Sequence, residues 1–368
     1  MIMSNKTDDP FNVFDWQRSL VEESFANFRR LSSLPSLYDK TQKVRKGVTP
    51  KELVYEEDKL NMYRYIPTGE IKYKTPILFV FALVNRPYIV DLKEGRSVVA
   101  NFVNAGFDTY IIDWGVPTES DRFLSCDDYV NGYLANAVDY LRERTGSEKC
   151  SLLGYCMGGA LSTMFSALHA DVVKNLILLA SGLDFSKKEG LIKLWSDPEY
   201  FDVDQFVDTV GNVPAEFLQA AFLMLKPVQN LIEKPISFWE NADNDRFVDD
   251  FLHMETWLND NIPVPGEVYR EFAKYLFQQN LLIQNKMPVG KHIVNLGDIT
   301  CPLLNLMATK DDLVPPCQSR TLNDKVSSKD KEVIEFPAGH IGLAVGGRAQ
   351  KELWPHVVQW LGDRSEKV

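Results

Sequence analysis

Gly154-Tyr155-Cys156-Met157-Gly158 stands between the apolar run KCSLL and a helix-forming stretch, and has the form G-x-C-x-G. A nucleophile held on a sharp strand-to-helix turn needs glycine on both sides, because a side chain there would collide with neighbouring backbone. Such a turn lifts the Cys156 thiol above the strand ends. The amide of Met157 then points from a helix amino terminus at the place where a carbonyl oxygen gains negative charge. A thiol attacks as its thiolate, so a base is required. Two segments supply it in the chain order nucleophile, acid, histidine. Asp311 and Asp312 follow the run CPLLNLMA, and Ala338-Gly339-His340-Ile341-Gly342 follows KEVIEF. The spacing D-x-L-V-P favours Asp311 as the acid, with Asp312 an exposed neighbour. Of the other histidines, His169 and His356 fall within predicted helices, and His253 and His292 in or beside an insertion, where a satisfied or exposed ring is expected. The second oxyanion donor is expected from the loop Leu83-Val84-Asn85-Arg86-Pro87, with the amide of Val84 as first choice over an ordinary strand-to-helix turn.

These residues need a scaffold that brings strand ends together. PILFVFAL, FDTYIIDW, KCSLL, NLILLA, CPLLNLMA and KEVIEF read as strands, most of them continuously apolar, and helices are expected between them. GRSVVANFVNAG, the stretch DDYVNGYLANAVDYLRERTG ending at Gly146, and Gly158 to His169 supply helices, and Gly347 to Leu361 a final amphipathic one. Buried strands alternating with helices make a parallel sheet covered on both faces, so the fold class is α/β. ELVYEEDKLNMYRYIP reads as a hairpin turning at Glu56 to Lys59 and opens this domain.

Two segments depart from that alternation. Residues 183–291 have few β-branched runs, many aromatics and helix-like stretches such as AEFLQAAFLMLK and DRFVDDFLHMETWL, and read as a helical insertion that splits the core into 51–182 and 292–368. Residues 1–50 read as a polar helical segment. Phe14, Val21, Phe25 and Phe28 fall near one face of its helix, which either packs on its own domain or docks a partner.

Composition sets the outer limits. The chain has 368 residues, 45% hydrophobic and 25% charged, which excludes wholesale disorder, collagen and coiled coil. Forty basic against fifty-one acidic side chains give a net charge of -11, so nucleic acid is not an expected partner. Cysteines at 126, 150, 156, 301 and 317 form neither a paired framework nor C-x-x-C spacing, so no metal and no disulfide are expected, and a reducing, cytoplasmic compartment is. The acidic start MIMSNKTDDPFNVFDW does not read as an export signal. The longest apolar run, Ile77–Val84, falls far short of the roughly 20 residues that span a bilayer.

ALVNRPYIVDL, IIDWG, DDYVNGY, LLGYCMGGA, VDTVGNVP, DLVPP and GHIG, in this order, resemble the catalytic subunit of the polyhydroxyalkanoate synthases, most of all class III, with class IV the lesser match. The resemblance runs from about residue 48 to 366. It implies an α/β-hydrolase core with a large, mainly helical cap, and transfer of 3-hydroxyacyl groups, chiefly 3-hydroxybutyryl, from coenzyme A onto a growing polyester. The family's cysteine, aspartate and histidine fall on Cys156, Asp311 and His340. Where the family often has a histidine after the aspartate, this chain has Asp312. The resemblance also implies a companion subunit, since the chain is too short to include the long amino-terminal domain of single-subunit synthases. A homodimer through the cap and attachment to polymer granules are expected with it. Coenzyme A enters as the leaving group of the substrate, and no cofactor is expected. Its phosphates need basic groups, among which only Arg86, beside the oxyanion loop, suggests itself. The rival readings are a cysteine hydrolase of the dienelactone hydrolase or thioesterase type, and a noncatalytic granule-associated protein.

The chemistry of the residues agrees with a transferase. A cysteine acylated by acyl-CoA exchanges one thioester for another, so the acyl group stays activated for attack by an alcohol. Polymer forms only if that alcohol outruns water, and a large apolar cap is the expected means of excluding water.

Overall fold

The computed structural model describes residues 13–187 and 189–368, with the side chains of residues 13–17 and 33–35 outside that description. By its contacts the chain divides into two units. One comprises the described residues up to Val44 with Lys226–Thr256, and the other comprises Arg45–Leu225 with Trp257–Val368.

The larger unit is built on an eight-stranded sheet. Its strands are β1 (Lys51–Glu57), β2 (Leu60–Tyr65), β3 (Ile77–Val80), β4 (Thr109–Asp113), β5 (Cys150–Tyr155), β6 (Val173–Leu179), β7 (Leu303–Ala308) and β8 (Lys331–Phe336). They lie in the order β1-β2-β4-β3-β5-β6-β7-β8. The hairpin β1–β2 joins the edge antiparallel, and β4 through β8 with β3 run parallel. The turn is tighter than the charged stretch suggests, two residues with Asp58 at φ 49. The first apolar strand is shorter than its run, because the chain leaves the sheet after Val80 to pass over the glycine-faced helix that follows β5.

Burial follows the composition of the runs. Every residue of β3, β5 and β7 is buried, as the middle of a sheet covered on both faces demands. Helix α1 (Val13–Gln42) belongs to the smaller unit, and α2 (Val98–Ala105), α3 (Ala135–Thr145) and α4 (Met157–Leu168) to the larger. Ser97 caps α2 by accepting the Ala100 amide, and Gly106 ends it at φ 95, where a side chain would be strained. The helix expected from Gly347 to Leu361 is broken at Leu353 into Gly347–Glu352 and Trp354–Gly362. Pro355 lacks an amide hydrogen and its ring obstructs the preceding turn.

The insertion between β6 and β7 is mainly helical, with helices at Val203–Val210, Ala215–Met224, Lys234–Glu240, Asp245–Leu258 and Gly266–Glu271 among others. In the smaller unit, Arg29 and Lys40 of α1 pair with Asp243 and Asp245 at 3.4 and 2.6 Å. Val21, Phe25 and Phe28 are 55, 65 and 70% exposed, so this face is not packed within the unit. Phe14 lies outside the described side chains. Among the described residues no helix is long and apolar enough to cross a membrane, and no cluster of His, Cys, Asp and Glu is fit to hold a metal ion.

Candidate active site

Four strands, β3, β5, β7 and β8, and the loops at their carboxyl ends build the site. β5 leads into Cys156, which has φ 55 and ψ −120, a conformation that L-residues rarely adopt and that persists only when its surroundings enforce it. The surroundings are glycines. A Cβ on Gly158 would run into the carbonyl oxygens of Val80 and Phe81, and one on Gly159 into the Ser181 hydroxyl. These contacts let α4 start directly under the end of β3. The Cys156 amide donates to the Leu179 carbonyl at 3.0 Å, which fixes the turn to β6. Met157 is the first residue of α4, so its amide has no acceptor within the helix and stands next to Cys156 at the helix amino terminus.

The acid and histidine come from the ends of β7 and β8. Asp311 is buried, and its Oδ1 accepts the amides of Leu313 and Val314, both at 2.9 Å. Its Oδ2 meets His340 Nδ1 at 2.7 Å, while Asp312 is exposed. With Nδ1 engaged by Asp311, Nε2 is the ring nitrogen of His340 that remains for another partner, and Cys156 is near enough to act on its charge. Burial works against a charged imidazole here. The negative charges of Cys156 and Asp311 and their hydrogen bonds outweigh it, and hold His340 well above the ordinary histidine range. The arrangement favours the protonated ring of His340 beside Cys156 and Asp311.

The other four cysteines are unlike Cys156. Burial pushes the thiols of Cys126 and Cys150 up, and that of Cys301 to about 11. For Cys317, burial and then the neighbouring Glu189 raise it to about 11. All four are held as thiols, and none stands on an elbow.

The loop after β3 carries Val84. Its first residue is fixed to the core, since Trp114 Nε1 donates to the Phe81 carbonyl at 2.9 Å. Arg86 lies on the same loop and is committed to an internal carboxylate, with Nη1 3.0 Å from Asp113 Oδ1. Sequence reasoning passed over Tyr155. This buried residue donates its hydroxyl to the His340 carbonyl at 3.1 Å and stacks on the imidazole with ring centroids 5.3 Å apart. It supports the histidine loop from beneath. The only sequence sign was an aromatic residue inside the glycine motif.

The family model for the α/β hydrolase fold matches residues 78–346, and that for the poly-beta-hydroxybutyrate polymerase (PhaC) N-terminus matches residues 39–102. A poly(3-hydroxyalkanoate) polymerase subunit PhaC of Haloferax mediterranei is 43% identical over 96% of this chain and 72% of its own length. The protein of that name from Allochromatium vinosum is 45% identical over 86% of this chain and 90% of its own. Among solved structures, a thermophilic esterase from Thermogutta terrifontis superposes with a TM-score of 0.51 over 87% of this chain and 100% of its own, at 15% identity. That likeness concerns the fold alone.

Proposed function

Since the chain belongs to the poly(3-hydroxyalkanoate) polymerases, α/β-hydrolase-fold acyltransferases that join hydroxyacyl groups from coenzyme A into polyester, we propose that Cys156 carries the acyl chain and that His340 and Asp311 serve it. The observation that carries this reading is the geometry at the strand ends. Cys156 stands on a strained elbow, and His340 is held by a buried Asp311, whose Oδ2 lies 2.7 Å from Nδ1.

The Cys156 thiolate attacks the thioester carbonyl of a 3-hydroxyacyl-CoA, and the amides of Met157 and Val84 hold the resulting oxyanion. The carbon–sulfur bond to coenzyme A breaks, the leaving thiolate takes the proton from His340, and the acyl group remains on Cys156. The hydroxyl of a second 3-hydroxyacyl-CoA then gives its proton to His340 and attacks the acyl-Cys156 carbonyl. An ester forms and the Cys156 thiolate is released. The lengthened chain, now on coenzyme A, acylates Cys156 again with loss of free coenzyme A. Per cycle one ester bond is made and one thioester to coenzyme A is lost.

3-Hydroxybutyryl-CoA is the preferred substrate in this reading, on the strength of the class III resemblance. The same resemblance supports a companion subunit, a homodimer through the cap, and work at the surface of polymer granules in the cytoplasm. The exposed Val21, Phe25 and Phe28 of α1 make that helix the candidate docking element for the companion.

The test is to quench the enzyme with 3-hydroxybutyryl-CoA and map the acyl adduct by peptide mass spectrometry. The adduct is expected on the peptide containing Cys156. Cys156→Ala should release no coenzyme A and make no polymer, whereas alanine at Cys126, Cys150, Cys301 or Cys317 should leave the chemistry intact. An adduct elsewhere, or activity in Cys156→Ala, rejects the assignment.

A further inference from the structure

The loop bearing Val84 is held from two sides of different character. Its start is fixed to the sheet through Phe81 and Trp114. From Val84 onward it is held by a strap from the insertion, residues 257–262. The Ile262 amide donates to the Val84 carbonyl at 3.3 Å, and Asn85 forms an antiparallel bridge with Asn261. Trp257 Nε1 donates to the Arg86 carbonyl at 2.8 Å. The Tyr88 hydroxyl and Lys46 Nζ both donate to Asp260 Oδ2, at 3.0 and 2.5 Å.

Asn85 is the centre of this set. It is 6% exposed. Its Oδ1 accepts the amide of Arg86 at 2.6 Å, which folds the loop on itself just after Val84. Its Nδ2 donates to the Trp257 carbonyl at 3.2 Å and to Asn261 Oδ1 at 2.6 Å. Asn261 in turn donates to Gln219 on the helix Ala215–Met224, and Val264 exchanges two backbone hydrogen bonds with Val213 just before that helix. The strap is therefore clasped on one face by the oxyanion loop and on the other by the insertion's own helices.

From this we infer that Asn85 and Trp257 are positioning residues that make the insertion part of the oxyanion hole: the Val84 amide is in place only while the strap is engaged. Resting on the assignment of Val84 above, the inference gives the insertion a second duty besides covering the site. A strap that moves aside to admit acyl-CoA or a polymer end takes the oxyanion loop's outer support with it. A buried amide side chain left without partners is costly, so the clasped arrangement holds strap and loop together as one unit. The clasped state alone stabilises the tetrahedral intermediate.

The experiment compares Asn85→Ala, Trp257→Phe, Asn261→Ala and Asn261→Asp with the unaltered enzyme. Trp257→Phe removes one indole N–H and keeps a ring. Asn261→Asp keeps the acceptor that Asn85 uses, and Gln219 can turn its amide to donate. Three quantities are read: the rapid-quench burst of coenzyme A at saturating 3-hydroxybutyryl-CoA, KM, and the rate at which iodoacetamide alkylates Cys156. Alkylation needs the thiolate and no oxyanion hole. Removing a whole oxyanion donor costs about 100- to 1000-fold, so displacing one should slow the burst by about tenfold or more in Asn85→Ala, Trp257→Phe and Asn261→Ala. KM and alkylation should hold within about twofold, and Asn261→Asp should recover most of the burst rate. An undiminished burst, a change confined to KM, or a parallel fall in alkylation overturns the inference. Val84→Pro, which deletes the amide hydrogen itself, separates the two readings. A full burst in Val84→Pro rejects Val84 as donor. A lost burst there with normal Asn85→Ala and Trp257→Phe rejects the strap alone.

Discussion

Cys156 and His340 form a pair whose charge state is set by what surrounds them rather than by either residue. Burial disfavours the imidazolium, yet the neighbouring Cys156 and the Asp311 carboxylate at 2.7 Å hold His340 above its ordinary range. A histidine whose proton is held above its ordinary value of about 6.5 stabilises the fold fully below that value, and the contribution is lost as pH rises through the raised one. Asp311→Asn removes one of the two negative charges. The His340 titration, followed by imidazole carbon NMR, should move down, and the stability margin over the variant should narrow on the alkaline side. A titration that stays in place would mean that Asp311 only orients the ring. The same variant should slow polymer growth more than the first burst of coenzyme A. A thiol ordinarily ionises at about 8.5, whereas an alcohol holds its proton nearly as tightly as water, about 15.7, and needs the better-supported base. Rapid-quench measurement of both steps decides this, and equal losses would reject the division. Cysteine, acid and histidine were legible in the sequence because each follows its own strand run and their order along the chain is that of a known constellation. Tyr155 and Asn85 were not, since their partners lie 185 and 172 residues away and nothing local marks them.

At the level of elements, the approach of α4 to β3 is the constraint on which the site depends. Gly158→Ala places a methyl group against the Val80 and Phe81 carbonyls, which are backbone and cannot swing aside. The variant should lose about 1–3 kcal/mol by thermal or denaturant unfolding, the usual cost of overpacking. It should also lose most of its acylation rate, because α4 carries the Met157 amide. A stable, active Gly158→Ala would show that the helix can shift without moving its first amide. Strands, helices and their order were legible here from the period of apolar residues and the glycines that end the helices. The strap was not. Residues 257–262 bear no repeating pattern, and apolar periodicity tells which face of a helix is buried without naming what covers it.

The whole molecule carries its negative charge with an apolar stripe left bare on one helix. Serine at Val21, Phe25 and Phe28 together should leave stability within about 0.5 kcal/mol per site, since exposed side chains contribute little, and should weaken pull-down of a companion subunit. Undiminished capture would show that α1 is not the docking element. The sheet has a different consequence, one that concerns how the chain is made. Leu176 of β6 and Leu303 of β7 are neighbours in register although the entire insertion separates them. Closing so long a loop is thermodynamically mild, about 0.6 kcal/mol for each doubling of its length, but the pairing is slow because it is so far from local. During synthesis the strand leading to Cys156 emerges and can pair long before the two strands that bring Asp311 and His340. A nascent chain thus displays Cys156 as an unassisted thiol on a half-built sheet. His340 and Asp311 come together only with the last strands, so an incomplete chain lacks the base that the proposed chemistry requires.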